Sequence, residues 1–157
     1  MKKIKIVKSK IHEKGTFAAE PIRKGEFIGF IQGPIKHFFP KGTKENLNYP
    51  DWVGYKKNYW IDPLFPFKYI NHSCDANCGI SGTKMVYAVN DIKQDEEVTL
   101  DYSITELEED WYLNCNCVST NCRKKVGNIL SLPKSRFAAY YPYIPTYMKE
   151  FYLKKRK

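Results

Sequence analysis

No run of apolar residues approaches the ~20 that a membrane-spanning helix needs, so no such span and no membrane partner is expected. The opening Met1-Lys2-Lys3-Ile4-Lys5 is basic but leads into no apolar stretch, which predicts no secretory signal. Internal repeats, low-complexity tracts and a collagen-like glycine period are absent. Cysteines are few and odd in number: Cys74, Cys78, Cys115, Cys117 and Cys122. Without an export signal they argue against a disulfide framework and for an intracellular protein, nuclear or cytoplasmic, whose clustered thiols bind metal.

Charge of one sign is missing from two stretches. The last 35 residues hold ten Lys/Arg and one acid, Glu150, which accounts for the whole formal net charge of +9. From Asp95 to Asp110 there are eight acids and neither Lys nor Arg. The chain therefore reads as a neutral body with a basic tail. Its acidic run is either a solvated face or an attractor for a cationic partner.

A chain of 157 residues, 43% hydrophobic and 27% charged, can bury one core. The elements are short and mainly β. Ile4–Val7, Gly15–Ala18, Phe27–Ile31, Tyr59–Asp62, Met85–Val89 and Glu97–Leu100 read as strands, several of them separated by turns rich in Gly, Pro and charge. Residues 33–58, with three prolines and three glycines, read as an irregular insert. Thr105 and Glu108 form a capping-box pair that predicts a helix over 105–114, and Thr146–Leu153 reads as a second short helix. The expected organisation is a body over 1–112, a cysteine-rich segment over 113–128 and a basic aromatic tail over 129–157.

Chemistry concentrates in Asn71–Cys78, Asp95–Tyr102 and Cys115–Arg123. Cys115, Cys117 and Cys122 place three thiolates within eight positions, and a closed tetrahedral zinc site wants a fourth ligand. Cys74 or Cys78 would supply it and would clamp the two segments together. A Cys74–His72 nucleophile pair is disfavoured, because no orienting third group is indicated. Taken alone, Tyr102 reads as a core tyrosine with a satisfied hydroxyl.

Four motifs in order resemble those of SET-domain protein lysine methyltransferases with a post-SET segment. They are Gly15–Ala18 with Ile22–Ile28, Lys68–Cys78, Ile92–Tyr102, and Cys115-x-Cys117-x4-Cys122-Arg123. The resemblance spans about residues 4–128. It implies a fold of several small sheets with a C-terminal pseudoknot, S-adenosylmethionine as methyl donor, one structural zinc ion, and a lysine-bearing basic protein or peptide, such as a histone, as substrate. By the same resemblance Lys14, Gly15 and Thr16 would offer backbone contacts to the donor, while Asn71 and His72 would hold its amino and adenine parts. Lys68 and Tyr69 would line the same pocket, Tyr102 would be the catalytic tyrosine, and Cys74, Cys115, Cys117 and Cys122 would hold zinc. Cys78 would then be a plain core thiol. Tyr59 and Trp60 are secondary candidates for pocket walls.

The sequence departs from the family pattern at Lys68 (usually Arg), at Ala76 (usually Pro), and at Glu13, Asp95 and Lys124 (each usually Gly). Leu100 stands where Phe or Tyr is usual, so more room is expected around the acceptor amine, enough for di- or trimethylation. Phe137, Tyr140 and Tyr141 are the nearest aromatics that would close a channel in place of the usual one. The competing reading is a catalytically inactive module whose basic tail makes weak contacts to nucleic acid.

Overall fold

The computed structural model describes residues 3–37 and 52–156. Its regular elements are twelve short strands and two helices, joined by short 3-10 turns. β1 (Ile4–Lys8) and β2 (Lys14–Ala18) form an antiparallel hairpin in which Ile6 faces Thr16. A five-stranded sheet holds the centre, in the order β3 (Phe27–Phe30), β9 (Met85–Ala88), β8 (Cys78–Ser81), β10 (Thr99–Leu100), β7 (Asn71–His72). β8 and β9 make a hairpin whose turn places Gly82 at φ +64°, a conformation open to glycine at no steric cost. β4 (Ile35–His37), β6 (Tyr59–Ile61) and β5 (Val53–Lys56) form a third sheet, and β11 (Tyr112–Asn114) pairs with β12 (Lys125–Gly127). The stretch read as an insert thus carries strands at both ends, while its middle, 38–51, lies outside the described residues.

The core is aliphatic. Ile22, Ile28, Ile61, Ile80, Val86, Val98, Leu100, Ile104 and Ile129 are buried in one cluster, each contributing about 1.5–3 kcal/mol of burial free energy. The C-terminal segment joins that cluster. α1 (Lys134–Tyr140) and α2 (Thr146–Lys155) bury Phe137, Tyr140, Met148 and Tyr152, with Ile144 between them. The rings of Phe137 and Tyr152 stack at 3.8 Å, and the Tyr140 hydroxyl accepts from the Ala76 N–H at 3.1 Å. The basic residues Lys154, Lys155 and Arg156 stay on the surface.

The helix expected over 105–114 does not form. Its first carbonyls are taken by tertiary partners: Ile129 N–H donates to Glu106 O at 3.0 Å, and Asn128 Nδ2 donates to Leu107 O at 3.2 Å. The capping residue is Asp101, whose side chain accepts from Ser103 N–H and starts a 3-10 turn over Tyr102–Thr105. Residues 112–114 then pair with β12. Local capping chemistry lost to long-range hydrogen bonding.

Candidate active site

β7 and β10 lie parallel, with Thr99 beside Asn71 and Leu100 beside His72. This register sets Tyr102, just past the end of β10, against His72. Tyr102 N–H donates to His72 Nδ1 at 3.1 Å, and the two rings meet edge to face with centroids 5.3 Å apart. With Nδ1 accepting, the imidazole proton sits on Nε2, which faces Cys74 Sγ at 3.3 Å. Burial lowers the His72 pKa to about 4, against the opposing pull of Asp101, so the ring is neutral. The Tyr102 hydroxyl donates to the Ile70 carbonyl at 2.8 Å.

Beside Tyr102 opens a recess of about 420 Å³, counting solvent at its mouth. Ile31, Phe67, Lys68, Ile70, Cys78, Leu100 and Thr105 are among its walls. Its lining is apolar with one cationic edge, suited to an aliphatic amine chain. Leu100 and Lys68 both line this recess, whereas Tyr69 does not. Cys78 is a fully buried core thiol, held protonated by desolvation, and also lines the recess. Trp60 packs in the core and donates to Glu106. Among the described residues neither Tyr59 nor Trp60 lines the recess, and neither do Phe137, Tyr140 and Tyr141.

The hairpin residues converge on the same place. Asn71 Nδ2 donates to the Lys14 carbonyl at 2.8 Å. Gly15 follows in β2, and Thr16 is buried with its hydroxyl donating to the Pro66 carbonyl at 3.0 Å. Tyr69 ends the turn that carries Lys68, and Lys14 Nζ stands 5.6 Å from the Tyr69 ring centre. Lys14, Gly15, Thr16, Lys68, Tyr69, Asn71 and His72, up to 58 positions apart, are thus gathered in one neighbourhood next to Tyr102.

On the other side of His72 the thiols gather. Ligand atoms of His72, Cys74, Cys115 and Cys117 all lie within 4.8 Å of one another, and all four residues are buried. Cys122 is not in that group: its thiol donates to the Cys115 carbonyl at 3.4 Å. The thiols fit zinc. A tetrahedral site with Zn–S of ~2.3 Å has S···S edges of about 3.8 Å, and Cys74 Sγ is 3.8 Å from Cys115 Sγ. Burial pushes the Cys74 and Cys115 thiols up. At Cys117 burial acts the same way but is outweighed by N–H donors from Cys74 and Ser119 and by neighbouring thiols, which bring it to about 7.

Two partners of this site were not legible as such in the sequence. Arg123 donates from N and Nε to Cys74 Sγ at 3.3 and 3.4 Å, and from Nη2 to Asp101 Oδ1 at 2.6 Å. It ties the thiol knot to the residue before Tyr102. Glu97 is the other, bonded to Asn71 and Ser9. The acidic run is accordingly not one solvated face: Asp101 and Glu106 are buried, Asp95 pairs with Lys5, and Glu109 and Asp110 are exposed.

The chain belongs to the SET-domain family, whose model matches residues 13–103. It is 29% identical over 144 residues to the probable histone-lysine N-methyltransferase set-23 of Caenorhabditis briggsae, covering 78% of this chain and 60% of that one. Against the histone-lysine N-methyltransferase ASHR3 of Arabidopsis thaliana it is 30% identical over 149 residues, covering 80% of this chain and 28% of the relative. The chain therefore spans less than two thirds of the length of these relatives. Among solved structures, ctPRC2 in an autoinhibited conformation bound to S-adenosylmethionine superposes with a TM-score of 0.55 at 25% identity, covering 68% of this chain and 16% of that one.

Proposed function

We propose that the protein is an S-adenosylmethionine-dependent protein-lysine N-methyltransferase, acting on a histone or another basic protein. The observation that carries this is the Tyr102 hydroxyl bonded to the Ile70 carbonyl beside an apolar recess, close to His72 and the hydrogen-bonded pair Asn71–Lys14. The relatives' names and the donor-bound SET structure support it.

S-adenosylmethionine supplies an electrophilic methyl group on a sulfonium. The remaining work is done by the chain. A lysine amine of pKa ~10.4 must be neutral to attack, at a cost of about 4.6 kcal/mol at pH 7. An apolar recess disfavours the ammonium form and so lowers that cost. Among the described residues lining the recess there is no carboxylate and no histidine. The Tyr102 oxygen and the Ile70 carbonyl orient the amine and the methyl group. Alignment of this kind contributes roughly 7–11 kcal/mol. Leu100, without a hydroxyl, leaves space and no hydrogen-bonding tether for the amine, which supports di- or trimethylation.

Cys74, Cys115, Cys117 and Cys122 would hold one zinc ion, with Cys122 turning from the Cys115 carbonyl. His72 would donate from Nε2 to the Cys74 thiolate rather than ligate. Reduced thiols at such a centre fit an intracellular compartment. The test is transfer of labelled methyl from S-adenosylmethionine to purified histones. Tyr102→Phe should lose about a hundredfold in rate while retaining its melting temperature. Undiminished transfer by that variant refutes the assignment.

A further inference from the structure

The positive charge of the C-terminal quarter is hardly spent inside the fold. Of the ten Lys/Arg in residues 123–157, two are neutralised: Arg123 pairs with Asp101 and Arg136 with Asp75. Lys124, Lys125, Lys134, Lys154, Lys155 and Arg156 are exposed, and no carboxylate among the described residues pairs with any of them. Four cations of this segment rest on aromatic rings instead. Lys125 Nζ is 4.1 Å from the Tyr112 ring centre, Lys149 Nζ 5.1 Å from Tyr141, Lys155 Nζ 5.9 Å from Phe151, and the Arg156 guanidinium 4.7 Å from Tyr152. A ring holds a cation in place without cancelling its charge.

The fold also gathers these groups. Arg156 Nη2 donates to the Leu130 carbonyl at 2.6 Å and the Tyr152 hydroxyl to the Leu132 carbonyl at 3.4 Å. The end of α2 thus lies along the turn Ile129–Ser131, which joins β12 to α1. Lys125 opens β12 and Lys134 opens α1, each a few residues from that turn. The exposed acids Glu109 and Asp110 lead into the end of β11 that faces Gly127, not the end that faces Lys125.

We propose that this surface docks the phosphate backbone of duplex DNA, through charge and not base sequence. Such docking does not depend on the methyltransferase reading. Duplex DNA carries one charge per ~1.7 Å of its axis. The ten residues of α2 run about 15 Å, so cations spread along it all meet phosphates. An acidic peptide spaces its charges by ~3.3 Å per residue at best. Single strands are held by bases stacked on open rings, and here Tyr112 and Tyr141 are already faced by their own lysines.

Fluorescence anisotropy with a labelled duplex of about 20 base pairs, at salt from about 50 to 200 mM, tests this. The wild-type Kd should rise with salt, with a log–log slope of about 3 or more. Lys134→Gln/Lys154→Gln/Lys155→Gln should bind about tenfold or more weaker at ~100 mM salt, with a flatter slope and an unchanged melting temperature. Lys8→Gln/Lys10→Gln, exposed on the β1–β2 hairpin, should bind like wild type. Any of four results overturns the proposal: no salt-dependent binding by the wild type, equal loss in the two variants, tighter binding of a single strand of the same length, or displacement of the duplex by an equal charge of polyglutamate. If the triple variant does not fold, Lys154→Gln/Lys155→Gln takes its place: a loss of about threefold or more sustains the proposal, and a smaller one overturns it.

Discussion

Tyr102 N–H donates to Nδ1 of His72 at 3.1 Å, and this bond commits the imidazole to a single tautomer. Its remaining proton, on Nε2, is directed at Cys74 Sγ. One neutral ring therefore links the tyrosine at the recess to the thiol knot, and the metal requirement of His72 should differ from that of the cysteines around it.

The purified protein should carry one zinc ion per chain. Cys115→Ser and Cys117→Ser should each abolish it, and with it much of the fold of residues 113–128, since binding energy at such a centre is folding energy. His72→Gln should retain zinc, because the imidazole has no lone pair to offer. Elemental analysis of the three variants decides; loss of zinc in His72→Gln would make the ring a ligand.

The Asp101–Arg123 pair is buried, with side-chain exposures of 1% and 16%, and Asp101 Oδ2 has no hydrogen-bond partner. Removing the guanidinium strands a carboxylate. Arg123→Met should cost about 3 kcal/mol in urea unfolding, and adding Asp101→Asn should recover part of that loss. A cost no greater than for an exposed lysine would contradict the strut.

Glu106 is buried beside Trp60. Desolvation, aided by the charge of Glu108 and opposed by the Trp60 hydrogen bond, raises its carboxyl from 4.5 to about 8. The folded state thus keeps a proton that the unfolded chain gives up between those values. Unfolding releases it, so stability falls as pH rises from about 4.5 to about 8, by on the order of 1 kcal/mol per unit, and is level on either side. Glu106→Gln should flatten the profile and be the more stable protein above about pH 8. Melting curves across that range provide the comparison, and parallel profiles would place the proton elsewhere.

Lys124 sits at φ +63° and Asp95 at φ +65°. A side chain in the left-handed region costs ~1–2 kcal/mol, part of which glycine returns through its freer unfolded state. Lys124→Gly should stabilise the protein by about 0.5–1 kcal/mol in urea unfolding. Asp95→Gly should gain less, because aspartate tolerates this conformation and Asp95 pairs with Lys5.

Local signals in the chain located what local forces decide. The strands β1, β2, β3 and β9 follow short β-branched or aromatic runs bounded by turns, and α2 falls on the proline-free run that follows Pro145. Asn71, His72 and Tyr102 were legible because family motifs carry them. The fate of Thr105–Asn114 was not, since it depends on Asn128 and Ile129, about 20 residues on, taking the carbonyls a helix would need. Nor was the place of residues 129–157, which read only as a basic aromatic tail. The charges lie outside, while Tyr140, Ile144 and Met148 face inward, a division that basic composition conceals. Glu97 and Glu106 sat in one acidic run with nothing to mark which would turn inward.

Gly79, in the middle of β8, sits where the Tyr141–Tyr143 turn crosses the sheet, and a Cβ there would come within 2.5 Å of the Tyr143 carbonyl. Backbone thus meets backbone with no slack between them. A single methyl at position 79 would act as a wedge, prising the turn between the two helices off the sheet. The docking of the whole C-terminal quarter is therefore answerable to one hydrogen atom.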